Sequence, residues 1–525
     1  MMAEEETKKK KLSFASALIL YFAGFFLLLC LFWVFKPSFK SRYNLIITGL
    51  GKGRVVPFIA QFEPYKDKKM GGAEYLSSKI KELIKSFEGN PYNAVSLGNE
   101  ISGTSESYFT NGEAVIESLN SYNLDAMLVG NLDFSFGFKR LCELSTKAAF
   151  KFLASNIVDE STGQIPPSFV REKISNPGGV LKVAFIGVTP HQTPFITTQK
   201  NTQGLRFSPP GPGLKQLVEE NRQHGANLVV MLTLYERKRL GEDEFNALLN
   251  SKPDILIMQD YASEMPPARR FDDVVVKTVN GYNQGKEIDL LTVDLDEKTG
   301  KIASFTGFRF PVFCDEIQPD AAVLNKISGV LDKIKSIQNE VIATFSESYS
   351  RMYDEECPIG DMIADNLKES TNTEIAFQHS GGIQGNISSG AFSMGDLYSL
   401  LPFDNDIVTM DLTGLDIIEI LTIAASLKRG IIQISGGEYS FSNRGIDDFE
   451  LGEVKVNGSN IIATKTYRIS TNSFLADGGD EFRPFRRGKK IVIGSPQRDV
   501  LKKYLTDLSA SGPVRLQFAD RIKRK

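Results

Sequence analysis

The sequence has 525 residues, 42% of them hydrophobic, and a formal net charge of -3 at pH 7. This length exceeds that of one ordinary domain, so it predicts two globular domains with connecting segments. Acidic and basic residues are balanced and interspersed. This excludes the extended basic surface of a nucleic-acid-binding protein and gives no role to DNA or RNA as a partner.

The amino terminus has the pattern of a membrane anchor. Four lysines at positions 8–11 precede an uncharged stretch, residues 12–35, about as long as a bilayer-spanning helix. No small-residue cleavage site ends this stretch, and Trp33 stands where an interfacial aromatic residue belongs. The pattern predicts a single-pass membrane protein with residues 1–11 as a cytoplasmic basic tail and the body on the periplasmic or extracellular side. Residues 36–48 are interpreted as a short basic spacer.

Strand and helix patterns alternate between residues 55 and 295. Predicted helices cover residues 73–87, 113–119, 141–150, 213–224 and 245–249. Predicted strands cover residues 55–60, 94–97, 126–129, 152–157, 183–188, 227–232, 255–258, 274–276 and 290–295. This alternation is typical of a layered α/β domain, in which binding loops follow the ends of strands.

The second half of the chain repeats a mixed pattern after a long helical segment. Residues 321–344 contain few helix breakers and are interpreted as a connecting helix. Beyond them, helices are predicted over residues 359–367, near 397 and over 415–426, and strands over 374–377 and 407–412. We therefore expect one domain over residues 45–318, a linker helix over 319–345 and a second domain over 346–525.

A loop-like stretch follows the predicted strand 126–129. Residues 130–135, Gly-Asn-Leu-Asp-Phe-Ser, resemble the Gly-Asn-His-Glu-Phe-Asp loop of the secreted 5'-nucleotidase family. The resemblance implies a four-layer α-β-β-α metallophosphoesterase domain with two divalent metals, followed by an α/β nucleoside-binding domain. It makes Asn131 a metal-ligand position, whereas Leu132 and Ser135 stand at the two catalytic positions and cannot act as the family's His-Asp pair.

The other metal-binding loops of the family are degenerate in the same way. Asn99 replaces a bridging Asp, Leu234 a His, and Asp260 and Ala262 two further histidines. The Asp-x-His of the first loop has no counterpart around residues 61–64. Because the three histidines of the chain fall outside these loops, the resemblance predicts that both metals, and with them any catalytic residue, have been lost.

The second half resembles the family's nucleoside-binding domain more closely. Residues 401–405, Leu-Pro-Phe-Asp-Asn, and residues 472–480, Asn-Ser-Phe-Leu-Ala-Asp-Gly-Gly-Asp, match two family segments in order. The resemblance implies that two aromatic rings sandwich a base while polar groups contact base and ribose. The nucleoside-binding residues implied are Phe403, Asn405, Gly436, Phe474 and Asp480.

Phosphate recognition is weaker in the same domain. Gln384 stands where the family has an Arg that grips the phosphate, and a neutral amide cannot form the charged bidentate contact. Arg351 is considered as a displaced phosphate ligand, although its spacing does not match the family.

These observations favour a membrane-anchored, externally facing protein that binds a nucleoside or nucleotide without hydrolysing it. One alternative is an active phosphohydrolase with a centre rebuilt from Glu63, Asn131, Asp133 and Asp260, whose oxygen ligands suit Mg²⁺ or Ca²⁺. The other is an envelope scaffold in which the phenylalanines are core residues. The sequence does not specify base preference, oligomeric state or protein partners.

Overall fold

The computed structural model describes residues 40–60, 64–179, 181–197, 199–236, 242–260, 268–281, 283–296, 298–403, 405–445 and 448–525. The predicted basic tail and membrane anchor, like Glu63 and Ala262, lie outside these ranges. Within them, no helix combines the length and the apolar character needed to cross a bilayer.

The chain divides into a small unit, residues 1–43 and 292–306, and a larger unit that contains all the rest. In the described part of the small unit, the Asp294 carboxylate accepts hydrogen bonds from Arg42 Nε at 3.0 Å and from Ser304 Oγ at 2.7 Å. The loops that form the candidate site all belong to the larger unit.

Helices and strands alternate in the first part of the described chain. Its helices are α1 (Ala73–Ser86), α2 (Ser105–Phe109), α3 (Glu113–Leu119), α4 (Phe138–Lys147), α5 (Pro212–Gln223), α6 (Glu242–Asn250), α7 (Ala321–Leu331) and α8 (Lys335–Gln338). Its strands are β1 (Lys40–Thr48), β2 (Phe58–Ile59), β3 (Lys69–Met70), β4 (Tyr92–Ser96), β5 (Ala126–Leu128), β6 (Lys151–Leu153), β7 (Ile157–Asp159), β8 (Glu172–Ser175), β9 (Val183–Val188), β10 (Leu205–Phe207), β11 (Leu228–Glu236), β12 (Ile255–Asp260), β13 (Ala268–Phe271), β14 (Val274–Asn280), β15 (Glu287–Asp296) and β16 (Ile302–Pro311).

Strands predominate in the second part. Its helices are α9 (Pro358–Thr371), α10 (Met394–Leu400), α11 (Gly414–Ala425), α12 (Ser473–Ala476) and α13 (Gln497–Ser509). Its strands are β17 (Val341–Phe345), β18 (Ile375–His379), β19 (Gly390–Ser393), β20 (Asp406–Thr413), β21 (Ile432–Ser435), β22 (Gly437–Gly445), β23 (Asp448–Val456), β24 (Ser459–Asn460), β25 (Thr466–Asn472), β26 (Lys489–Pro496) and β27 (Ile522–Arg524).

Two six-stranded sheets form the middle of the first half. Their strand orders are β16-β15-β1-β4-β5-β6 and β13-β14-β12-β11-β9-β8. The sheets pack face to face, since a Cβ on Gly187 of β9 would lie only 2.6 Å from the Leu153 Cβ of β6. Residues of α1, α3, α4 and α7 cover the outer face of the first sheet, and residues of α5 and α6 cover that of the second. The four-layer arrangement implied by the resemblance is therefore present.

The first strand corrects the interpretation of residues 36–48 as a spacer. Residues 40–48 form β1, in which Leu45, Ile46 and Ile47 are fully buried, and β1 pairs in parallel with β4. A strand inside a parallel sheet is apolar on both faces, so it lacks the alternation by which a half-buried strand is recognised. The loop after the first strand is consequently residues 49–54, and its placement around residues 61–64 was wrong. The strand predicted over 55–60 shrinks to β2.

The single connecting helix predicted over residues 321–344 is also wrong. The segment contains α7, the short α8 and then β17, whose β-branched Val341, Ile342 and Thr344 favour a strand. Val323 and Ile327 of α7 are buried in the core beneath the first sheet, so this helix is part of the first half's packing.

The second half is built around the five-stranded sheet β21-β18-β25-β20-β26, with the sheet β24-β23-β22-β27 beside it. An aromatic cluster joins this half to the first. The ring of Tyr398 in α10 lies 4.3 Å from that of Tyr108 and 4.6 Å from that of Phe109 in α2. The Arg498 guanidinium lies 4.3 Å from the ring centroids of both tyrosines, which adds cation–π attraction to the contact.

Candidate ligand-binding cleft

A cleft of about 560 Å³ is lined by residues from both halves of the larger unit. One wall is formed by the loops at the carboxyl ends of β1, β4, β5 and β11, the usual position of binding sites in parallel sheets. The opposite wall is formed by loops of the second half that surround β18 and α12. The cleft thus brings the degenerate metal loops and the predicted nucleoside-binding residues to one place.

Asn99 and Asn131, two of the degenerate metal positions, are hydrogen bonded to each other. Asn99 Oδ1 accepts from the backbone N–H of Leu132 at 2.9 Å, which fixes the orientation of the amide. Asn99 Nδ2 then donates to Asn131 Oδ1 at 3.2 Å. The Asn131 oxygen that would face a cation in the family therefore faces an amide donor.

Apolar and neutral groups fill the neighbouring positions. Leu234 is buried, and its Cδ1 would lie 2.4 Å from a Cβ on Gly130. Gln259, a residue of the fifth loop that lines the cleft, donates through Nε2 to the Leu234 carbonyl oxygen, and its Oε1 is buried without a hydrogen bond. Asp260 is buried and is not a lining residue.

The acidic side chains near these loops have a structural role. The Asp133 carboxylate accepts four backbone N–H bonds of 2.7–3.0 Å, from Gly130 and from residues 99–101. Glu100 accepts from the Gly51 N–H at 2.9 Å and from Ser96 Oγ at 2.7 Å. Burial raises the pKa of Glu100 to about 7 and that of Asp133 to about 6. These carboxylates hold the three loops together.

A two-metal centre does not fit these residues. Of the four residues considered for a rebuilt centre, Asp133 is committed to backbone amides, Asp260 lies outside the cleft lining, and Glu63 is not described. Over the described ranges, no three or more His, Cys, Asp or Glu side chains are grouped so that they could hold a metal ion. Leu132 and Ser135 line the cleft, where Ser135 Oγ is bonded to Ser102 Oγ at 2.6 Å.

The opposite wall carries four of the five residues implied to bind a nucleoside, namely Phe403, Asn405, Phe474 and Asp480. The Phe474 ring stacks on the imidazole of His379, with centroids 5.0 Å apart and planes inclined by 27°. One face of Phe474 is therefore covered by the imidazole, and Gly479 packs against the same ring, since a Cβ there would lie 2.5–2.6 Å from three of its atoms. Burial lowers the pKa of His379 to about 3, so the imidazole is neutral at pH 7.

Comparison with known proteins identifies one domain and the overall fold. Residues 335–487 match the family model described as 5'-nucleotidase, C-terminal domain. Residues 335–487 are thereby identified as a 5'-nucleotidase C-terminal domain. The crystal structure of a 5'-nucleotidase precursor from Thermus thermophilus has the same fold: its TM-score is 0.79 at 21% identity, covering 92% of this chain and 99% of that one.

Two relatives of the chain extend beyond it. A cell wall protein of Listeria monocytogenes is 23% identical over 508 residues, which cover 85% of this chain and 65% of that protein. An endonuclease of Bacillus subtilis is 26% identical over 487 residues, which cover 87% of this chain and 38% of that protein. The 5'-nucleotidase-like chain thus spans less than two thirds of either relative.

Two predicted site residues of this 5'-nucleotidase fold have local structural contacts. Gly436 is not among the cleft-lining residues; it has φ 76°, and a Cβ there would lie 2.0 Å from the Glu374 carbonyl oxygen. Gln384 lines the cleft, but its Nε2 donates to the Gly381 carbonyl oxygen at 2.6 Å.

The sequence analysis missed two basic residues of the cleft. Lys52 and Arg54 lie in the loop that follows β1 and line the cleft. The signal was the run Gly-Leu-Gly-Lys-Gly-Arg over residues 49–54, directly after an apolar stretch. The interpretation of residues 36–48 as a spacer assigns the first family loop to the wrong segment, so this run has no role in that interpretation.

Proposed function

We propose that this 5'-nucleotidase-like protein binds a nucleoside or nucleotide in the cleft and does not hydrolyse it. One observation carries the proposal: the aromatic and polar wall implied by the family lies opposite metal loops whose side chains hydrogen bond to one another. In this proposal a base stacks against the cleft-facing parts of Phe474 and Phe403, while Asn405 and Asp480 supply polar contacts.

The absence of hydrolysis follows from the chemistry of the metal-facing wall. Phosphomonoester cleavage by a two-metal centre needs cations to offset the charge of the phosphate and to activate water. The Asn99–Asn131 amide pair and the buried methyls of Leu234 provide no anionic ligands for such cations. We therefore expect the cleft to bind its ligand without hydrolysing it.

We also propose that residues 12–35 anchor the protein in a membrane and that the cleft lies on the periplasmic or extracellular side. The lysines at positions 8–11 and the length of the uncharged stretch support this orientation. Protease digestion of sealed vesicles tests it: the body is degraded from the outer side only. Protection of the body until the vesicles are opened would reverse the orientation.

Calorimetric titration of the full-length chain with adenosine, in a mild nonionic detergent and EDTA, tests nucleoside binding. We expect saturable binding that weakens by about tenfold or more in Phe474→Ala, because base–aromatic stacking is worth roughly 1 to 3 kcal/mol per base. Phe518→Ala is the matched control, since Phe518 is 57% exposed and does not line the cleft.

Two results of this titration contradict the proposal. Absence of binding by any nucleoside favours the envelope scaffold, in which the cleft phenylalanines only pack. Equal loss of affinity in Phe474→Ala and Phe518→Ala would show that the substitutions act through folding and not through the cleft.

A further inference from the structure

The loop after β1 is a rigid support on the metal-facing wall. Its backbone follows the loop after β4, with hydrogen bonds from Leu50 N to Gly98 O at 2.8 Å, from Lys52 N to Asn99 O at 3.0 Å and from Gly53 N to Glu100 O at 2.6 Å. Lys52 has φ 49°, a left-handed conformation that a side-chain-bearing residue adopts at a cost. The fold therefore holds this loop in one conformation.

Two cationic side chains of this loop reach the cleft without a hydrogen-bond or ion-pair partner among the described residues. Across the described residues, neither Lys52 Nζ nor the Arg54 guanidinium takes part in a hydrogen bond or an ion pair. Arg54 Nε is buried and unbonded, and the guanidinium lies 4.1 Å from the centroid of the Phe58 ring. A buried donor without a partner is costly unless a ligand satisfies it.

A third cation comes from the second half of the cleft. Arg351 lines the same space, and one of its guanidinium nitrogens donates to the Ile383 carbonyl oxygen at 2.8 Å. Burial lowers the pKa of Lys52 to about 8, and repulsion from Arg351 and Lys286 contributes to the decrease. Like charges from separate elements thus line one cleft, an arrangement that an anion would stabilise.

Acidic groups also line the cleft and limit its positive electrostatic potential. They are Glu106, Asp354 and Asp480. Glu106 is the carboxylate with the largest opposing effect on Arg54, and it accepts a hydrogen bond from Ser105 Oγ at 3.4 Å. It forms no ion pair with Arg54, so the guanidinium stays available to a ligand.

We propose that Lys52, Arg54 and Arg351 form an anion site that holds the phosphate monoester of a nucleotide, in the part of the cleft where the family uses metal ions. The proposal rests on the proposed function and deepens it, because it makes the ligand a nucleotide and not a bare nucleoside. A guanidinium offers a planar fork of donors and an ammonium a compact charge, and together they suit a dianionic phosphate. Neither group supplies the divalent charge of the family's metal ions, so we expect the phosphate to be held and not cleaved.

Titration of the full-length chain in detergent and EDTA, with adenosine, adenosine 5'-monophosphate and inorganic phosphate as probes, tests the proposal. We expect the monophosphate to bind about tenfold or more tightly than adenosine, because charged hydrogen bonds stabilise the complex. This preference should fall to near unity in Lys52→Met and Arg54→Met. It should persist in Lys52→Arg, which keeps the charge, and in Lys151→Met, which removes an exposed charge outside the cleft.

Salt dependence checks the same claim without a substitution, in case a variant does not fold. Raising the NaCl concentration should weaken binding of the monophosphate and leave adenosine binding unaffected, since salt screens charge. Three results would overturn the anion site. The wild-type chain could bind both ligands with equal affinity, or monophosphate binding could be insensitive to salt. The third result is an unchanged preference for the monophosphate in both methionine variants.

One further outcome separates this inference from the proposed function. If inorganic phosphate binds in a manner that Lys52→Met abolishes while no nucleoside binds, the anion site stands and the nucleoside-binding function fails. If adenosine binds and phosphate contributes nothing, the function stands and the anion site fails.

Discussion

At the scale of single residues, the candidate site differs from a metal centre because its side-chain oxygens accept hydrogen bonds from the protein. Asn99 donates to Asn131, and Asp133 uses both carboxylate oxygens to accept backbone amides. The Asn131 and Asp133 oxygens, which a cation would require as acceptors, are already paired within the protein. These bonds stabilise the loops in the absence of metal.

Asn99→Asp should therefore destabilise the protein and not restore a metal ligand. The new carboxylate cannot donate to Asn131 Oδ1 and adds charge beside the buried Glu100 and Asp133, so we expect a loss of about 1–3 kcal/mol of unfolding free energy. Urea unfolding followed by circular dichroism measures it. Asn460→Asp, on an exposed strand, is the control. A stabilised variant that binds manganese would contradict this account.

His379 makes stability depend on pH. Because the pKa of this buried imidazole is lowered to about 3, the unfolded chain binds more protons than the folded chain between that value and about 6.5, so stability is lost as the pH falls through this window. From pH 7.5 to pH 5.5 we expect a loss of about 1.4 kcal/mol that His379→Gln removes. Glu100 and Asp133, whose pKa values are raised, change stability with pH in the opposite direction. Their contribution is the same in each variant and in wild type, so it cancels in the comparison.

The control for this measurement is His224→Gln, since His224 is exposed. It should keep the wild-type dependence of unfolding free energy on pH. A His379→Gln protein with the same pH dependence as wild type would show that the imidazole is already protonated, or exposed to water, in the folded state.

At the scale of elements, much of the chain was predictable because its periodicity is local. The helix over residues 113–119 and the strand over 183–188 have the predicted bounds, and both are short segments between clear turns. The failures have a common cause. β1 is buried on both faces, and the segment 321–344 changes from helix to strand without a proline or glycine at the change. Only the surrounding sheet and core determine those structures.

The turn between β21 and β22 gives a test at this scale. Gly436→Ala would place a Cβ 2.0 Å from the Glu374 carbonyl oxygen, so we expect the free energy of unfolding to fall by about 2 kcal/mol or more. Urea unfolding measures this loss. Gly458→Ala is matched, because Gly458 has φ 77° and no atom within 4 Å of a Cβ. The smaller loss of unfolding free energy in Gly458→Ala measures the cost of the left-handed backbone conformation alone.

This pair also decides the role of Gly436. If the folded fraction of Gly436→Ala binds adenosine with wild-type affinity, the glycine supports the turn. Loss of adenosine binding at unchanged stability would instead return it to the set of residues that contact the nucleoside.

At the scale of the whole molecule, the cleft depends on contacts that no local pattern encodes. Four of the implied nucleoside-binding residues could be identified from motifs, and the structure brings them to one wall. The stacking of His379 on Phe474, and the position of Lys52 and Arg351 in the lining of one cleft, bring together residues far apart in sequence. They depend on how the two halves pack through Tyr108, Tyr398 and Arg498, which only the folded chain specifies.

The most direct test of binding without hydrolysis is phosphate release from adenosine 5'-monophosphate by the full-length chain with manganese, set against the same reaction in EDTA. We predict saturable binding of the nucleotide and no manganese-dependent release of inorganic phosphate, because the loops that would hold the cations are bonded to one another. Sustained release that scales with protein concentration and stops in EDTA would contradict the account and establish a working metal centre.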